Sequence, residues 1–131
     1  MENLWPIFEK KEEETPKSII SNQVEYFNDL KLGLRATLSS KSDFIGDPSS
    51  DEPNAITHYF RIQASGLDGF TFTLFKATHK VFSYYPLRIQ SHLDGKAYEV
   101  KDSDVFKKVL KTIFNSKEAK EAIQNLYSQT H

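Results

Sequence analysis

No cysteine occurs in the chain, so disulfide bonds, thiol catalysis and thiolate metal ligands are all excluded. An excess of either charge is also missing: 17 basic residues face 18 acidic ones, for a formal net charge of -1. So small a field gives no general attraction to nucleic acid or to an anionic membrane, and the charge balance speaks against both as partners. No apolar run approaches the ~20 residues that cross a bilayer as a helix. The stretch MENLWPIFEKKEEE begins with an acid and enters a run of charges after one short apolar patch, which is not the pattern of a secretory signal. The expected compartment is the cytoplasm. Glycine is scarce, and no glycine-rich loop of the kind that cradles phosphate before a helix is present. The GLDG at 66–69 sits between two alternating runs and reads as a strand reversal.

Chemistry-bearing clusters are equally thin. His58, His79, His92 and His131 stand apart, without the spacing of a helical zinc motif, so neither a metal nor a cofactor is expected. Ser83 lies near His79, but a serine close to a histidine is common and no glycine-framed nucleophile turn accompanies it. The acid pairs Asp47/Asp51 and Asp102/Asp104 fall in a loop and at a helix start, where turn formation and capping already account for them. No catalytic residue is assigned.

What the chain does contain is enough apolar material for one core: 131 residues, 38% hydrophobic and 27% charged. At this length about two thirds of the unfolded surface can be buried without a staple. Residues 1–14 read as a partly flexible tail bearing Leu4, Trp5, Ile7 and Phe8, and 15–131 as one α+β domain. Thr15-Pro16 is a helix start, and Ile20, Val24, Phe27, Leu30 and Leu34 recur on one stripe, predicting a helix over 16–32. LRATLSS alternates as a strand, and 41–54 is expected to be a long surface loop.

Two alternating runs follow, AITHYFRIQAS and FTFTLFKAT, predicting an antiparallel hairpin. Strict alternation puts Ile56, His58, Phe60, Ile62, Phe70, Phe72 and Leu74 inward. It puts Tyr59, Arg61, Gln63, Thr71, Thr73 and Phe75 outward. Pro86 requires an edge, a bulge or a break in the next run. Asp102 or Ser103 can cap a helix with Phe106, Val109, Leu110 and Ile113 inward. Asn115 and Glu118 have the spacing of a capping box for a last helix. The predicted fold is α+β: an antiparallel sheet of four to five strands, with one N-terminal helix and two C-terminal helices mainly on one face.

The expected function is non-catalytic: a protein-interaction or regulatory module that meets a protein partner or itself. Its surface would be the outer sheet face or an edge strand, using Tyr59, Arg61, Phe75, Tyr84, Tyr85 and Arg88, with one of the two tyrosines 84 and 85 pointing outward. Two alternatives stand beside it. One is a small-ligand-binding protein or enzyme with a pocket between the first helix and the sheet, near Tyr26 and His58. The other is a nucleic-acid-binding domain that would use the outer rings with Lys76, Lys80 and Arg88.

Overall fold

The computed structural model describes residues 1–10, 14–43 and 54–130. The order of elements is α1 (Pro16–Asp29), β1 (Arg35–Asp43), β2 (Ala55–Ala64), a short 3-10 turn (Ser65–Leu67), β3 (Phe70–Lys80), β4 (Ser83–Ser91), β5 (Ala97–Val100), α2 (Ser103–Phe114) and α3 (Lys117–Thr130). The strands form one antiparallel sheet in the order β1-β2-β3-β4-β5, a plain meander. The fold is therefore the expected α+β arrangement, with one N-terminal and two C-terminal helices.

The helix ends follow local chemistry. Thr15 caps α1 by accepting from the Ser18 amide (3.0 Å), and the Ser18 hydroxyl accepts from the Thr15 amide (2.9 Å). Two amides that the first turn leaves free are thereby satisfied. The helix stops at Asp29, three residues before the predicted end. Leu30 is its cap, and Lys31 and Gly33 then take positive φ (53° and 76°), which turns the chain into β1. Asn28 fastens this corner: its side-chain oxygen accepts from the Ala36 amide (2.8 Å) and its nitrogen donates to the Ala36 carbonyl (3.1 Å). Leu30 is consequently carried out of the buried stripe.

At the other end Asp102 caps α2, accepting from the Val105 amide (2.9 Å). The expected Asn115/Glu118 box is replaced by a different corner. Asn115 closes α2, its amide nitrogen donating to the Lys111 carbonyl (2.8 Å), while the Ser116 hydroxyl accepts from Ala119 to start α3 (3.2 Å).

The sheet departs from strict alternation at one point. Phe60 pairs with Phe75 but Arg61 pairs with Thr73, so Leu74 is an extra residue in β3. Such a bulge shifts the phase of every residue beyond it. Phe70, Phe72 and Leu74 face the helices before the bulge; Phe75, Ala77 and His79 face them after it. Phe75 is therefore core, with 0% of its surface exposed, stacked on Phe60 with ring centroids 5.3 Å apart. The outward position assigned to it by alternation is corrected. Phe70, at the far end of the strand, is half exposed.

β4 is also not an edge, because it pairs with β3 on one side and β5 on the other; the edges are β1 and β5. Pro86 is accommodated by an irregularity: Thr78 pairs with Arg88 and Lys80 with Ser83, which leaves residues 84–87 outside the β3 ladder. Residues 41–43, expected in a loop, extend β1 opposite Ala55–Thr57. Residues 44–53 of that expected loop lie outside the described residues, and the Asn54 carbonyl accepts from the Val81 amide (3.1 Å). Buried side chains from all three helices and from the sheet join one apolar cluster that includes Ile20, Ile62, Phe75, Ile89, Phe106 and Ala119.

Candidate functional site

The helices do not close over the whole sheet. α1 and α3 stand apart above its β1–β3 half, and the space between them is an open cleft of about 880 Å³. Phe60, Ile62, Leu74 and Phe114 form its floor, and Phe27 and Ile123 line its walls from the two helices. The polar groups Gln23, Lys120, Glu121 and Gln124 also line it, and all of these belong to helices rather than to the floor. Two further apolar groups remain largely in water at the α1 side, Tyr26 at 64% and Leu30 at 62% exposure. Leu30 follows Tyr26 by four residues and shares its face of α1, so both stand at the same open margin. Volumes of roughly 300–1,000 Å³ are usual for ligand sites. Phe60, Ile62 and Leu74 are themselves almost fully buried, so the accessible apolar surface comes from Tyr26 and Leu30 and from the half-buried Phe27, Phe114 and Ile123.

The sequence paired Tyr26 with His58 as a pocket. The structure separates them. Tyr26 lines the cleft, whereas His58 is 3% exposed and does not line it. His58 instead meets His79, a residue that strict alternation would have turned to the opposite face. Their Nε2 atoms lie 2.9 Å apart. His79 Nδ1 is 2.7 Å from the Lys80 carbonyl oxygen, which can only accept, so that nitrogen carries a proton. In a neutral ring His79 Nε2 is then an acceptor, so His58 Nε2 donates to it. His58 Nδ1 is left to accept from the Ser40 hydroxyl, 2.7 Å away. The result is a one-way chain from Ser40 through both imidazoles to a backbone carbonyl, with every ring nitrogen partnered.

A serine, a histidine and a third orienting group invite comparison with nucleophilic catalysis, but the electrostatics oppose it. Burial first, and then the neighbouring His79 and Lys17, pull the His58 pKa down to about 4. A base of that strength draws little on a serine proton at neutral pH. The third group is also an imidazole, which bears no negative charge and cannot stabilise an imidazolium as a carboxylate does. The chain therefore locks β1, β2 and β3 together rather than activating Ser40. Among the described residues there is no group of three or more His, Cys, Asp or Glu that could hold a metal ion.

The outer sheet face keeps Tyr59 and Arg61 where the sequence placed them, but their groups are engaged with each other and with neighbours. Arg61 donates to Thr73 (3.2 Å) and Ser39 (2.9 Å), and its guanidinium carbon sits 4.6 Å from the Tyr59 ring centroid. Arg88 is exposed and pairs across strands with Glu99. Tyr84 is exposed and sets its ring edge against His79. Tyr85 turns the other way: its ring packs against the core, and its hydroxyl is buried without a hydrogen-bond partner among the described residues. Burial, with Asp102 and Glu14 nearby, pushes that phenol above its ordinary pKa. Of the six proposed surface residues, Tyr59, Arg61, Tyr84 and Arg88 thus remain accessible in some part, and Phe75 and Tyr85 belong to the interior side.

No protein-family model, curated protein or solved structure matches this chain.

Proposed function

We propose that this protein is a non-catalytic interaction module that receives an apolar peptide segment in the cleft between α1 and α3. The observation that carries the reading is the exposed apolar material at the cleft: Tyr26 and Leu30 lie largely in water at its α1 margin, with Phe27 and Ile123 on its walls and the polar Gln23, Lys120, Glu121 and Gln124 among them. Sites for small polar molecules place a few converging polar groups around the ligand to orient it. Grooves that take peptide side chains have an apolar trough with a polar rim, as here. The outer face supports self-association less well, since Phe75 and Tyr85 no longer supply anchors there and Arg61 is already held by Thr73, Ser39 and Tyr59.

A direct test uses 8-anilinonaphthalene-1-sulfonate as an apolar probe, titrated into a chain carrying Phe8→Asp, which takes the apolar segment at residues 4–8 out of competition for the dye, and into the same chain with Leu30→Asp or Tyr26→Asp added. Both positions are exposed enough for the fold to survive the change. Each addition is expected to weaken dye binding about tenfold, roughly 1.4 kcal/mol, while adding Arg88→Ser on the outer face leaves it unchanged. Equal binding in all four proteins would remove the reading.

A second reading rests on local charge. His92 is held below its ordinary pKa by partial burial first and then by the nearby cations Lys76 and Arg61. Those two cations, with Tyr59 beside Arg61, support contact with a nucleic-acid strand. Retention of the protein on a mixed single-strand pool that weakens steeply with salt is the expected result, and no retention at low salt ends this reading.

A further inference from the structure

Resting on the cleft as a peptide site, we infer that its first occupant is the chain's own segment Leu4–Phe8, docked within the same molecule. Two of the exposed apolar surfaces among the described residues are complementary in kind. One is the cleft margin at Tyr26 and Leu30. The other is this segment, in which Leu4, Trp5, Ile7 and Phe8 stand 80%, 76%, 90% and 78% exposed. Scattered surface hydrophobics need no explanation, but four in five consecutive positions make a patch with the character of a recognition motif. Pro6 lies in the middle of it and fixes one backbone angle, which lowers the entropy lost when the segment is ordered.

The tether permits the contact. Glu14 is fixed beside α2 by its ion pair with Lys107, and α1 begins immediately after it. From Thr15 to Tyr26 the helix rises about 17 Å. Phe8 precedes Glu14 by six residues, which span up to about 20 Å when extended. Running back along α1, the chain brings Phe8 level with Tyr26 and Phe27, and Trp5 and Leu4 farther along the cleft toward Leu30. So short a link gives an effective concentration in the millimolar range, which favours the molecule's own cleft over that of a second copy at ordinary concentrations. The structure shows the open arrangement; the docked one places Leu4–Phe8 over Phe60, Ile62 and Leu74. An external peptide must then displace the segment, so the segment sets the threshold for any partner.

Trp5 is the only tryptophan in the chain and reports on the contact directly. In the natural chain its emission is expected to be blue-shifted and shielded from iodide, equally at low and high protein concentration. Phe8→Asp and Leu30→Asp should each shift it to the red and restore quenching. With the segment docked in about nine molecules of ten, Phe8→Asp should also tighten dye binding about tenfold, because the cleft is vacated. Shielding that grows with protein concentration would overturn the intramolecular contact in favour of a second copy. Fully exposed Trp5 emission in all three proteins would overturn docking altogether. In that event, dye binding still weakened by Leu30→Asp would leave the cleft as a site for another peptide, while dye binding indifferent to Leu30→Asp would remove the cleft reading as well.

Discussion

Acidification should destabilise this protein, and the largest single identified contribution comes from His58. Its buried ring accepts from Ser40 and donates to His79, so the neutral form is the one the fold accommodates. The folded pKa is about 4, against 6.5 for the free side chain. Because the folded value is the lower one, the unfolded chain binds more protons in the interval between them. The contribution is thus fully present above pH 6.5 and is lost as pH falls toward 4. Between pH 7.5 and pH 5 the loss attributable to this group is about 2 kcal/mol.

The assay is equilibrium urea unfolding at both pH values, for the natural chain and for His58→Gln. Carboxylates such as Asp94, whose pKa is held down by the Lys96 amide, are common to both proteins and cancel in the comparison. The natural chain should lose about 2 kcal/mol more than the variant over this range. Equal losses would refute the argument that a buried neutral imidazole pair ties the three strands together.

Other outcomes follow from the packing. Phe75→Ala should cost about 3–5 kcal/mol, since its ring is buried against Phe60 and Phe114, whereas Tyr59→Ser on the outer face should cost about 1 kcal/mol or less; thermal melts of both distinguish the interior from the surface assignment. Tyr85→Phe removes a buried hydroxyl without a hydrogen-bond partner among the described residues and should stabilise the fold by about 1 kcal/mol, seen as a higher denaturant midpoint. Asn28→Ala removes both bonds to Ala36 and should lower stability by about 1–2 kcal/mol, with faster amide exchange at the start of β1 as its local signature.

Much of the fold was legible because its signals are local. The Thr15-Pro16 start, the alternation of His58–Ala64, and the Asp102 cap each depend on a few adjacent residues, and each appears in the structure, whereas at the start of β2 Thr57 is buried and Ile56 is not. The bulge at Leu74 was legible in principle and decides the most. In FTFTLFKATHK the polar positions change phase, from Thr71 and Thr73 to Lys76 and Thr78, with two apolar residues back to back at the change. Strict alternation ignores that switch, and so it sent Phe75 to the wrong face and left the contact between His58 and His79 unread.

The cleft was only half readable. A pocket beside α1 follows from an amphipathic helix on a sheet, but its width depends on where α3 lies. That position is set by the Asn115–Ser116 corner and by packing rather than by any motif. Leu30 was assigned to the buried stripe because its spacing fits. Lys31 and Gly33, with positive φ, end the helix early and leave it at the cleft margin instead.

Contact between a bound apolar probe and the cleft lining tests the central claim most directly. With methyl-labelled protein and 8-anilinonaphthalene-1-sulfonate, nuclear Overhauser effects from the dye should reach the methyl groups of Leu30, Leu32 and Ile123. Contacts to the methyls of Thr73 and Thr78 on the outer face instead, or no methyl contacts at all, would contradict it.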